Sequence, residues 1–300
     1  MDLPDPCSRQ EMGLRGAVKA IDVRTETIGS TGNSNNVEQR FFFNQAGQTI
    51  RVEACDRELL AEIRTYVRDP KTNLMTIRIE ENMAVDRTIH DLHVRGKIIC
   101  ELDAAGRVLT AQRVDWMGEL HMSWEREYDP AGRLIAERKL NPDGEILSLC
   151  LSNFEGRTQG RREFYGGTIG EDTDLEQAEE TEEIEFDDAG RPLVTLINKP
   201  KASQIRVEHT YDAAGRPLTE THIRNTQQVE QHNWTYDPYG NILTHTWKAH
   251  RDSSSSDTYT YTYDGQGNWI ERRHTTATTA LGDVLPGRTE ITRRVITYFS

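Results

Sequence analysis

The 300-residue chain lacks most of the features that announce a function. No apolar run approaches the length of a membrane helix, so the expectation is of no membrane-spanning segment. Helix-period stretches are missing too. Residues 57–67 (RELLAEIRTYV) admit a helical reading, but the alternation of Ile63, Thr65 and Val67 favours a strand. The four cysteines, Cys7, Cys55, Cys100 and Cys150, are far apart and include no C-x-x-C pair. That spacing argues against a zinc knuckle; buried thiols are expected, with a cross-strand disulfide left open if the protein is exported. There is no G-x-S-x-G, H-E-x-x-H, P-loop or dinucleotide fingerprint, hence no expected catalytic residue, enzyme activity or cofactor. No basic stripe offers phosphate neutralisation, which disfavours nucleic acid. The first residues show no basic-then-apolar leader. The compartment stays open between cell envelope or extracellular space, if a leader was removed, and cytoplasm.

Charge of one sign is concentrated rather than spread. Residues 171–188 (EDTDLEQAEETEEIEFDD) hold eleven acids and no base; taking these from the net −13 leaves −2. The insertion near 166–185 reads as a solvated loop running into a strand, with a cation site or a basic partner as the alternative. It lacks the alternating Asp/Asn-plus-Gly pattern of an EF-hand, which argues against calcium.

What the chain has is one signature, eight times: FNQAGQTI (43–50), LDAAGRVL (102–109), YDPAGRLI (128–135), LNPDGEIL (140–147), FDDAGRPL (186–193), YDAAGRPL (211–218), YDPYGNIL (236–243) and YDGQGNWI (263–270). The Asp or Asn side chain can accept a backbone N–H two residues on, and the Gly can take the φ > 0 conformation of a bulge. Each copy is therefore a β-hairpin turn. Asp115-Trp116-Met117-Gly118 reads as a degenerate further copy. The aromatic before Asp shares a face with the residue two after Gly, and the aliphatic three after Gly points to the other. Arg after Gly (Arg107, Arg133, Arg191, Arg216) can cross the turn to the preceding carboxylate or reach a neighbouring repeat. Flanking runs such as TYTYTY (258–263) alternate with period two. The fold class is all-β: a curved antiparallel meander of roughly twenty strands, possibly rolled or partly closed, with an extension at 1–12 and one repeat domain at 13–300.

Because turn geometry uses the carboxylates, they do not count again as acid–base pairs. His209, His222, His232 and His245 fall in consecutive strands, but the pairing inferred from the turns does not bring three onto one face. Cross-strand polar contacts, and no metal site, are expected. The aromatic column remains, with Tyr211, Trp234, Tyr236, Tyr259, Tyr261 and Tyr263 as candidate binding residues. Aromatics there either fill the sheet core or present a strip for a glycan or an extended peptide.

YDPAGRLI, YDAAGRPL, YDPYGNIL and YDGQGNWI resemble the YD repeats of RHS-repeat proteins, across residues 102–270. GLRGAVKAIDVRTET (13–27) and EITRRVITYF (290–299) resemble the first and last strands of small RHS-like proteins of bacterial envelopes. The resemblance implies a non-catalytic binding or structural module of the envelope with a glycan or protein partner. Its alternative is an accessory of an RHS-type toxin system, whether partial shell, chaperone or immunity-like protein, since large members spiral into a hollow shell around a toxin.

Overall fold

The computed structural model describes residues 8, 10, 12–28, 37–56, 59–82, 92–169, 178–200, 202–249, 253–280 and 282–300. Cys7, most of the 1–12 extension and residues 170–177 of the acidic insertion lie outside them.

Among the described residues, twenty strands make up the fold. The first seven are β1 (Val18–Ile28), β2 (Val37–Phe43), β3 (Thr49–Asp56), β4 (Leu59–Asp69), β5 (Leu74–Asn82), β6 (Leu92–Leu102) and β7 (Val108–Asp115). Next come β8 (Leu120–Tyr128), β9 (Leu134–Leu140), β10 (Ile146–Glu155), β11 (Gln159–Ile169), β12 (Glu180–Phe186) and β13 (Pro192–Asn198). The last seven are β14 (Ile205–Tyr211), β15 (Pro217–Arg224), β16 (Gln227–Tyr236), β17 (Ile242–Ala249), β18 (Ser253–Tyr263), β19 (Trp269–Ala280) and β20 (Asp283–Tyr298). The segment that admitted a helical reading is β4. Each strand pairs with its sequence neighbours, and β20 pairs antiparallel with β1 from Val18↔Tyr298 to Ile28↔Thr289. The meander is thus closed, more definite than a rolled or partly closed sheet, and among the described strands closure pairs the two ends of the sheet with each other.

The hairpin mechanism is seen atom by atom. In the copy at 211–218, Asp212 Oδ1 accepts the backbone N–H of Ala214 and of Arg216, each at 2.9 Å, while Arg216 Nε donates to Oδ2 at 2.6 Å. Gly215 sits at φ +83°, where a Cβ is strained. Pairing slips by one, from Thr210↔Thr219 to Tyr211↔Pro217, so Tyr211 and Pro217 share a face as the turn geometry requires. Arg107, Arg133 and Arg191 close their turns on Asp103, Asp129 and Asp187 in the same way. At Asp115, Oδ1 accepts the N–H of Met117 and Glu119, and Gly118 has φ +89°; this is a ninth copy.

The last copy has a different partner. Asn268 is 2% exposed. Its Nδ2 donates to the Arg15 carbonyl at 2.9 Å and to Tyr298 Oη at 2.8 Å, and its Oδ1 accepts the Arg15 N–H at 2.6 Å. Tyr298 Oη in turn donates to Asp264 Oδ2, in the place Arg takes elsewhere. The final turn thereby ties the entry to β1 to the exit from β20.

Contacts gather into two compact units. One comprises Met1–His121, Tyr259–Thr275 and Gly287–Ser300, the other Met122–Thr258 and Thr276–Pro286. Within the first, Val18, Ile21 and Phe43 form a buried cluster, and Met75, Ile77, Ile98, Cys100 and Ala111 are buried on β5–β7. Within the second, burial is sparse: among the described residues, Trp124, Ala136, Leu149, Ile184 and Val207 are its buried apolar ones. Cys55 and Cys100 are buried free thiols, while Cys150 is a free thiol only half-buried.

Two outcomes follow. Truncating Asn268 to Ala removes its three hydrogen bonds to Arg15 and Tyr298 and should cost about 1–3 kcal/mol of unfolding free energy in denaturant melts; a neutral change would show that this tie does not hold the closure. Acid should also loosen the turns. The backbone N–H of the turn Arg, foremost at Asp103, Asp129 and Asp212, and the guanidinium at Asp187 hold these carboxyls below their ordinary value. A depressed folded-state pKa stabilises above the free value of about 3.9 and is lost as pH falls through the folded-state values. The melting temperature should therefore drop below about pH 4, and the quadruple Asp→Asn variant should show a shallower acid limb. Identical acid limbs would refute this.

Candidate functional site

The six aromatic candidates separate by unit and by duty. Tyr211 and Tyr236 serve the scaffold. Tyr211 Oη donates to the Pro192 carbonyl of the preceding repeat at 2.8 Å, and Tyr236 Oη to that of Pro217 at 2.7 Å. The Arg191 and Arg216 guanidiniums lie over these rings at 4.7 and 4.6 Å from the centroids. One Arg therefore closes its own turn and covers the next repeat's Tyr. Arg133 does the same over Phe154, at 4.2 Å. Burial pushes the Tyr211 and Tyr236 phenols up.

Trp234 belongs to a polar-aromatic face on β14–β17. It stacks on His245 (5.0 Å between centroids, 9°) and on His232 (5.6 Å, 10°). His232 Nδ1 and His245 Nε2 are 3.0 Å apart, and His232 Nε2 lies 2.8 Å from Glu230 Oε1. Trp247 Nε1 donates to the same Glu230 oxygen at 2.7 Å. Burial alone would raise the Glu230 pKa, but the His232 and Trp247 hydrogen bonds outweigh it and hold the carboxylate ionised. His222 Nε2 is 2.7 Å from Glu220 Oε1, and His209 Nδ1 is 3.5 Å from Glu220 Oε2. Burial holds His209 below its usual pKa despite that carboxylate.

Here the sequence expectation needs correction, because His222, His232 and His245 do share a face. Asn225 and Thr226 form the β15–β16 turn with φ of 49° and 65°. Pairing then passes from Ile223↔Gln228 to His222↔Glu230, leaving Val229 without an opposite residue. This bulge sets Glu220 opposite His232; without it, His232 would face the other way. The signal available in the sequence was the doubled Glu-x-His, Glu220–His222 and Glu230–His232, which on a strand puts acid and imidazole on one side.

Tyr259, Tyr261 and Tyr263 lie on β18 in the other unit, half-buried, with Thr258, Thr260 and Thr262 exposed between them. Tyr259 stacks on His274 at 4.5 Å and 8°. Tyr261 meets Tyr263 at 6.0 Å and Trp269 edge-on at 6.1 Å. Beside them stand two arginines that sequence reading passed over. The Arg294 guanidinium is 3.4 Å from the Trp269 centroid, and that of Arg272 is 5.5 Å from it. Arg272 Nη2 donates to Thr292 Oγ1 at 3.3 Å. Neither Arg has a carboxylate within ion-pair distance among the described residues. The Nε of each is buried without a partner. Burial first, and then Arg272, pulls the Arg294 pKa down to about 10.

No family model and no curated protein matches this chain. Among solved structures it is similar to a porin-like protein from Bacteroides uniformis at 12% identity and a TM-score of 0.42, covering 93% of this chain and 96% of that one. The expectation of no membrane-spanning segment is overturned as it was drawn. It rested on the want of a long apolar run, which tests for helices, and no helix among the described residues is long and apolar enough to cross a membrane. A closed 20-stranded sheet is the other architecture that crosses bilayers, and the helix criterion says nothing about it.

If Tyr236 is a scaffold residue, Tyr236→Phe should cost ~1 kcal/mol in equilibrium unfolding through the lost bond to Pro217. No loss would free Tyr236 from that duty.

Proposed function

We propose that the chain is a non-catalytic binding module of the bacterial envelope that holds a glycan or an extended protein segment on the aromatic face of β18–β20. The observation that carries this is the pair Arg272 and Arg294 beside Trp269. Two guanidiniums share a half-buried site with a Trp ring and carry unpartnered Nε donors. A buried donor left unsatisfied is costly, and two like charges repel where water is thin. An anionic group placed there would satisfy both, while Trp269, Tyr259 and Tyr261 supply flat apolar surface for a sugar ring or a side chain. The partner that fits bears carboxylate or sulfate groups: an acidic glycan or an acidic peptide segment. The envelope setting is supported by the likeness of the turn motifs to YD repeats.

Tryptophan fluorescence titrations with heparin-derived oligosaccharide, oligogalacturonate, poly-glutamate and neutral maltoheptaose test the reading. An acidic ligand should bind more tightly than the neutral one. Arg272→Ala should weaken it by ~10-fold or more, the scale of a charged hydrogen bond worth about 1.5–3 kcal/mol. Binding by poly-glutamate alone would select the peptide partner. Acidic ligands that fail to bind, or that bind Arg272→Ala equally well, would remove the proposal.

A further inference from the structure

The face on β14–β17 carries an inference independent of the β18–β20 site. We propose that Glu220, His222 and His232 form a binding site for a divalent transition-metal ion, best matched by zinc. One ligand atom from each of the three lies within 4.8 Å of the others. In a tetrahedral zinc site, bonds of about 2.0–2.2 Å place ligand atoms roughly 3.3 Å apart. Glu220 and His222 already approach more closely than that, at 2.7 Å, through a hydrogen bond whose proton the ion would replace. The rest of the closure, within 4.8 Å, falls to small movements of the Glu220 and His222 side chains toward the held His232 ring, because Glu220 and His232 are directly opposite in the ladder.

Three features distinguish this set from a chance group of polar side chains. Its donors are two imidazoles and one carboxylate, a set that suits zinc, copper or nickel and not calcium or magnesium. It has a built surround: Glu230 holds His232 Nε2, and Trp247 in turn holds Glu230, as carboxylates fix the ring of a metal-bound histidine. Trp234 stacks on His232 and limits its rotation. The side chains are also reachable, since Glu220, His222 and His232 are 31%, 26% and 19% exposed. Three protein ligands leave the fourth position open to water or to a group on a partner. His245 Nε2, at 3.0 Å from His232 Nδ1, is the nearest further nitrogen.

The test uses the full chain, tag-free and stripped with chelator, titrated calorimetrically with zinc chloride at neutral pH. One equivalent should bind. His232→Ala and Glu220→Gln should each weaken it by at least ~10-fold, and Glu230→Gln, which touches only the surround, by ~10-fold. His121→Ala, an exposed histidine on β8, should leave affinity unchanged. Cobalt(II) supplies a second readout: tetrahedral visible bands and quenching of Trp234 fluorescence in the wild type, both lost in His222→Asn. Melting temperatures measured in chelator keep a misfolded variant from passing as a ligand loss, and a melt raised by zinc in the wild type but not in His222→Asn supports the site. Absence of stoichiometric binding, or equal affinity in the wild type, His232→Ala and His222→Asn, overturns it.

Discussion

Everything in this fold depends on one side-chain oxygen per repeat. When Asp212 Oδ1 takes two backbone N–H groups, it secures a turn whose Gly must have φ > 0, and that turn inserts one extra residue into the ladder. The extra residue turns the pairing by one position, so apolar groups reach both faces beside turns such as this one. Leu193 and Leu218, three places after their glycines, are partly exposed, while Phe186 and Tyr211 face the opposite side with Pro192 and Pro217. Beside these turns, strand pairing and facing follow from that oxygen's geometry.

The repeats are joined by a second use of the same residues. An Arg bound to its own Asp lies over the Tyr of the next copy, whose hydroxyl returns a hydrogen bond to the first copy's Pro carbonyl. Each such surface ion pair contributes little to stability, but it fixes where the guanidinium lies. This lets the unit at 122–258 hold together with few buried apolar residues, and it leaves the face of β14–β17 to histidines, carboxylates and tryptophans. In the unit containing β1–β7, an apolar core does more of that work. The candidate sites lie where the repeat rules stop: beside the Val229 bulge, and where Arg294 has a Trp ring in place of an Asp.

Much of this was legible. The turns could be read from Asx-x-x-Gly because their chemistry is local, complete within five residues, and even the degenerate copy at Asp115 behaves accordingly. Facing across each bulge was legible for the same reason. The histidine row was not. Its register depends on a bulge opposite a two-residue Asn225–Thr226 turn, and nothing in a single strand announces which residue a ladder will skip. The bare arginines escaped notice because a missing partner is a property of the fold and not of the residue. The reading of no membrane segment failed because hydropathy windows detect helices, whereas closure of a sheet is a matter of which strands meet.

By itself, then, the sequence determined the all-β class, the hairpins and the repeat-to-repeat spacing, since these follow from dihedral preferences and hydrogen bonds between residues a few places apart. Only the tertiary structure decided that β20 meets β1, that Asn268 ties that junction to Arg15, and that Glu220 faces His232. Those contacts join residues brought together by the sum of many small register choices, and a single slip of one residue would have turned each of them to the opposite face.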